Sequence, residues 1–159
     1  MTKATEVSEF YVVGIAARTS NQLEMSGQGV IGKQWERLFS EHVLSNIPNR
    51  VDSNIYAIYT DYTTEQGVEY TFLLGAKTRD SSQVADGMIA KRVPAGKYAV
   101  VTSERAPVVE AVVGAWKKIW SLSPGQLGGE RAFDTDFELY DERATDPQNS
   151  QVDIYIGLK

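Results

Sequence analysis

One order of elements occurs twice along these 159 residues, and it narrows the possible folds more than any other feature. The first round opens with Phe10 to Ala17 (FYVVGIAA), a short apolar run of β-formers that reads as a strand. Asn21 to Gly29, with its Ser and Gly, reads as loop. From Val30 the period changes: Ile31, Trp35, Leu38, Phe39 and Val43 stand three or four apart, with Lys33, Glu36, Arg37 and Glu41 between them. That spacing predicts an amphipathic helix, ended by Pro48. Ile55 to Tyr62 and Glu69 to Lys77 follow as two strand-like runs, joined by residues 63–67 in what reads as a hairpin.

The second round repeats the order. Met88 to Val93 and Lys97 to Ser103 read as one strand bent at Pro94-Ala95-Gly96. Pro107 suits a first helical turn, and behind it Val109, Val112, Val113, Trp116, Ile119 and Trp120 mark a second amphipathic helix that closes near Pro124-Gly125. Phe133 to Asp141 and Val152 to Leu158 complete a second strand pair. The rounds match in element order and not in letter, with a boundary near residues 79–86. Neither half could bury both faces of its sheet alone. The expectation is one α+β domain over residues 1–159, built from duplicated βαββ units (about 9–78 and 86–159) with pseudo-twofold symmetry. A mostly antiparallel sheet would carry two helices on one side, with a ligand cleft along the seam between the halves.

Composition removes several function classes. Sixteen basic against 21 acidic side chains give a net charge of −5, and Lys91-Arg92 and Lys117-Lys118 are isolated pairs rather than a stripe, so nucleic acid is not an expected direct partner. Without cysteine there is neither a disulfide framework nor a thiolate metal site. Residues 1–8 lack the apolar stretch of a secretory signal, and no run is long enough for a membrane span, so a cytoplasmic protein without a membrane partner is expected.

The last two strands carry the candidate binding chemistry. Alternation puts Phe133, Phe137 and Leu139 on one face and Asp134, Asp136, Glu138 and Tyr140 on the other; the final strand leaves Asp153 and Tyr155 opposite its apolar set. If the two strands pair about residues 146–147, Glu138 faces Tyr155 and Tyr140 faces Asp153, so two carboxylates and two phenols share one patch. Such a patch is either the solvated face of a half-buried sheet or a binding surface. Trp116 and Trp120, one turn apart, and Trp35 in the equivalent helix are either core or rings bordering a cleft. Tyr56, Tyr59, Tyr62 and Tyr70 add phenols nearby. An acid ringed by aromatic side chains suits a lipophilic cation, each ring face contributing roughly 0.5–2 kcal/mol.

Signs of catalysis are thin. His42 is the only histidine, and no cysteine or Ser–acid arrangement pairs with it. Gly125, Gly128 and Gly129 follow a helix instead of linking strand to helix, which does not fit a dinucleotide fingerprint. Calcium-loop spacing is missing too. No catalytic residue, metal site or cofactor is assigned.

Three stretches resemble a known family: Val93-Pro94-Ala95-Gly96-Lys97-Tyr98-Ala99-Val100, the helix Ala115-Trp116-Lys117-Lys118-Ile119-Trp120, and above all Asp136-Phe137-Glu138-Leu139-Tyr140 with Val152-Asp153-Ile154-Tyr155-Ile156. In order and spacing they resemble the GyrI-like small-molecule-binding domain, the effector-binding module of AraC-type and MerR-type multidrug-responsive activators. Thr135-Asp136 and Gly157-Leu158 are minor departures from its pattern. The resemblance implies the duplicated βαββ fold and a buried acid that recognises lipophilic cations, a position Glu138 fills. Tyr140, Asp153, Tyr155, Tyr59, Trp35 and Trp116 would be its neighbours in the ligand site. No room is left for a helix-turn-helix, so the expected protein is a stand-alone binder that acts as a sensor or sequesterer, and not an enzyme. The alternatives are a hydrolase of electrophilic compounds, using Glu138 as base and Tyr140 as orienting acid, and a regulator of a protein partner, such as a gyrase inhibitor.

Overall fold

The computed structural model describes residues 2–63 and 68–159, and the hairpin connection expected at 63–67 lies, apart from Thr63, outside them. The strands are β1 (Thr2–Val7), β2 (Phe10–Ser20), β3 (Ile55–Thr60), β4 (Glu69–Thr78), β5 (Ile89–Val93), β6 (Gly96–Thr102), β7 (Arg131–Tyr140) and β8 (Asp153–Leu158). The helices are α1 (Asn21–Met25), α2 (Ile31–Ser40), α3 (Val108–Ser121) and α4 (Pro124–Leu127). All eight strands form one sheet in the order β1-β6-β8-β7-β3-β4-β2-β5, and each described pairing is antiparallel. Adding four to each strand number reverses this order, so a pseudo-twofold axis runs between β3 and β7.

The first strand of each half crosses over. β1 lies on β6 of the second half, and β5 lies on β2 of the first. Residues 88–103 are therefore not one bent strand. The chain leaves one half's ladder at Val93 and joins the other's at Gly96, because Pro94 has no N–H with which to continue the ladder. Only two residues span a journey between distant places in the sheet, which requires the sheet to curve strongly. Gly14 and Gly75, paired on β2 and β4, permit that curvature: a Cβ on Gly14 would stand 2.1 Å from the carbonyl oxygen of Leu74.

Both helices of appreciable length cover the same face. Leu38 of α2 packs with Val13, Ile15, Phe72 and Leu74; Ala115 and Ile119 of α3 pack with Val101, Ile154 and Ile156. The first helix stops at Ser40, earlier than its apolar spacing suggests, and the chain turns through His42 at φ 52°. Residues 21–25, read as loop, make the short helix α1, with the Ser20 side chain accepting from the Leu23 N–H. The opposite, concave face is also filled, by Phe10, Val12, Tyr56, Ile58, Leu73, Val93, Tyr98 and Phe137. The contact of Phe10 on β2 with Phe137 on β7, 5.4 Å between ring centroids, shows how tightly the sheet wraps this second core. No helix among the described residues is long and apolar enough to cross a membrane.

Candidate functional site

A row of side chains crosses the helix-covered face at the axis: Val101, Ile154, Glu138, Ala57, Leu74 and Ile15, each paired with the next. Five are apolar and one is a carboxylic acid. Glu138 is 1% exposed and lies in the middle of the sheet, so the solvated-face alternative does not describe it. Its Oε2 accepts from the Tyr59 hydroxyl at 2.7 Å and from Trp116 Nε1 at 2.6 Å; its Oε1 accepts from the Tyr140 hydroxyl at 2.6 Å. All three donors are neutral. Burial pushes the Glu138 carboxyl above its ordinary range, and the three hydrogen bonds only partly offset that effect. Tyr59 and Tyr140, themselves buried beside the carboxylate, are raised well above ordinary phenols and stay protonated as donors.

Aromatic rings close the seam over this acid. Trp35 meets Tyr140 edge-on at 4.8 Å, and Trp116 meets Tyr59 edge-on at 5.2 Å. Outside them Phe39 lies 6.3 Å from Trp35 and Trp120 lies 6.2 Å from Trp116. These outer rings are 60% and 52% exposed, so an aromatic path leads from solvent to the cage. The matched residues share one interval, for Trp35 and Trp116, Phe39 and Trp120, Ala57 and Glu138, and Tyr59 and Tyr140 are each 81 apart. Two of these pairs, Trp35 with Trp116 and Tyr59 with Tyr140, are identical in letter, so the halves match at the seam beyond element order.

Five of the seven candidate residues gather here: Glu138, Tyr140, Tyr59, Trp35 and Trp116. Asp153 and Tyr155 do not. Glu138 pairs with Ile154, while Tyr155 pairs with Phe137 and Asp153 with Leu139, one residue away from the expected register. A slip of one residue exchanges the faces, so Tyr155 stacks on Phe137 in the concave core at 4.4 Å. Asp153 is held by Arg143 at 2.8 Å and by the Thr102 hydroxyl at 2.7 Å.

A second buried acid, Asp136, shares the cage face two residues before Glu138. It has a cation already: Arg131 donates to it at 2.7 Å, the Tyr62 hydroxyl at 2.6 Å and the Gly157 N–H at 2.9 Å. Arg131 in turn lies over the Phe133 ring at 4.2 Å. Nothing in the local pattern marks Arg131 as this partner, because a register irregularity between residues 131 and 136 brings it round. Among the described residues no group of His, Asp and Glu is arranged to hold a metal ion.

Comparison with known proteins gives the family and the fold. The model of the Cass2 family, integron-associated effector binding proteins, matches residues 4–158. The chain belongs to that family. YobU of Bacillus subtilis (strain 168), whose name assigns it provisionally to transcriptional regulation, is 35% identical over 148 residues, 92% of this chain and 90% of that protein. An integron cassette protein from the mobile metagenome of Vibrio cholerae shares the fold with a TM-score of 0.76 at 25% identity, over 99% of this chain and 95% of that one. SAV2435, solved bound to tetraphenylphosphonium, superposes with a TM-score of 0.79 at 18% identity, over 100% of this chain and 94% of its own. Membership of the family makes this an effector-binding protein, and the solved neighbours share its fold.

Proposed function

We propose that this chain binds lipophilic cations of small-molecule size, reversibly and without turnover, in the cage around Glu138. One observation carries the reading: a fully buried carboxylate whose hydrogen-bond partners are three neutral groups, walled by four aromatic rings. A bound cation would supply the missing counter-charge while the rings contribute cation–π attraction. Binding requires the seam to open, with the Trp116 indole leaving the carboxylate and the Trp35 indole moving off Tyr140, and the exposed Phe39 and Trp120 offer apolar surface at its mouth. The tetraphenylphosphonium bound by SAV2435 is a ligand of this class. As an effector-binding protein the chain would act as a sensor or sequesterer, its output passing through a protein partner and not through direct contact with nucleic acid.

The test compares the parent with Glu138→Gln, which keeps the shape and removes the charge: the amide oxygen still accepts from Tyr59 and Trp116, while the amide N–H donates to the Tyr140 hydroxyl, which turns to accept. Tetraphenylphosphonium and the neutral triphenylphosphine oxide are titrated into each, followed by tryptophan fluorescence. The cation should bind the variant roughly ten- to a hundredfold more weakly, the scale of an interaction with a charged group, with the neutral ligand unaffected. Undiminished binding of the cation by Glu138→Gln would refute the proposal.

A further inference from the structure

The cage walls come in matched pairs about the pseudo-twofold axis, but the two residues at the axis do not match. Glu138 and Ala57 face each other across the β3–β7 pair, a carboxylate against a methyl group. Trp35 stands to Tyr140 as Trp116 stands to Tyr59, with similar distances and both edge-on. Phe39 and Trp120 extend the two sides equally. Ala57 is 0% exposed, so no solvent reaches the side of the cage without charge. The nearby Asp136 cannot serve that side, since Arg131 already neutralises it.

We infer that Ala57 sets the valence of the ligand, holding the cage to cations with a single positive charge. The inference rests on the cation-binding reading and adds ligand charge to it. Four ring walls fit either end of a flat ligand, but only one end finds a counter-ion. A second cationic centre would be buried against the Ala57 methyl, and an unpaired charge taken out of water is strongly disfavoured. The same symmetry says what a carboxylate at position 57 would meet. Glu138 finds Tyr140 two residues on, Tyr59 across the strand pair and Trp116 above; a glutamate at 57 would find Tyr59, Tyr140 and Trp35 in the same places.

Two dyes with one biaryl frame test the inference by calorimetry: 4-phenyl-1-methylpyridinium, with one charge, and methyl viologen, with two. The parent should bind the first at least about tenfold more tightly, a difference of 1.4 kcal/mol. Equal affinity for the two overturns the valence assignment but leaves cation binding standing; binding of neither dye removes the underlying reading instead. In Ala57→Asp the preference should narrow at least tenfold, and a folded variant with the parent's preference overturns the role of Ala57. If that variant does not fold, the relocated pair Ala57→Glu with Glu138→Ala decides, because it buries no additional charge. It should keep its preference for the monocation, and Trp35→Phe should now weaken binding more than Trp116→Phe does. A folded relocated protein that binds no 4-phenyl-1-methylpyridinium shows that the halves are not equivalent, and the inference fails.

Discussion

Asp136 and Glu138 stand two residues apart on β7, face the same way and are both buried, yet one is paired with a cation and the other has only neutral partners. Asp136 is held by a cation from its own strand, by a phenol and by a backbone N–H. Glu138 is held by a phenol on each side and an indole. In the first half, 81 positions earlier, Ile55 and Ala57 occupy the equivalent places, so both acids are departures from symmetry. Under the proposed reading, burial alone therefore does not distinguish an acid that supports the fold from one that serves a ligand. The charge of its partners does: a carboxylate satisfied only by neutral donors carries desolvation that an external cation can relieve.

Opposite effects on stability would sharpen this contrast. Asp136→Asn leaves the Arg131 charge without a counter-ion; since Arg131 keeps 18% exposure, the loss should be about 3 kcal/mol, the low end for breaking a buried pair. Glu138→Gln should instead raise stability at neutral pH, by about 1 kcal/mol, because it removes a charge that has only neutral partners. Burial raises both carboxyls, and the opposite signs follow from their partners: Arg131 acts to lower that of Asp136, whereas Glu138 has only neutral donors. The folded parent holds its proton more tightly than the unfolded chain does, so its stability falls as pH rises through the ordinary carboxylate range toward the raised value. The gain from Glu138→Gln should accordingly shrink on acidification. Urea denaturation of both variants at neutral and acid pH measures this, and destabilisation by Glu138→Gln would erase the distinction between the two acids.

A smaller asymmetry separates the tryptophans. Trp116→Phe removes a donor to the carboxylate and should cost about 2 kcal/mol in the unliganded protein. Trp35→Phe forfeits part of one edge-on contact, about 1 kcal/mol. Thermal unfolding of the pair checks the order, and equal losses would mean that the indole N–H of Trp116 does not support Glu138.

Much of the architecture is legible in the sequence because amphipathic spacing of 3.6 and strand alternation both survive in it. Trp35 and Trp116 could be picked out on that basis; alternation does not separate Glu138 from Asp134 and Asp136, and only the family resemblance does. β1 could not, since Thr2–Val7 is a mostly polar strand whose ladder, among the described residues, is with β6, far along the chain. The register of β7 and β8 also misleads for a physical reason. Alternation shows which residues share a face, but here both faces are buried, so the apolar set of β8 can lie beside the acids of β7 instead of behind them. Ile154 and Ile156 belong beneath α3, and that packing draws Asp153 and Tyr155 to the concave side.

The central claim is that the charge of Glu138 is unpaired until a cation arrives. Tetraphenylphosphonium tests it most directly, because its charge is permanent and any pH dependence must come from the protein. Its affinity, followed by tryptophan fluorescence in the parent and in Glu138→Gln across the acidic to neutral range, should rise with pH in the parent as Glu138 ionises and stay level in the variant. A parent profile as level as that of Glu138→Gln, or the same rise in both, would contradict the account.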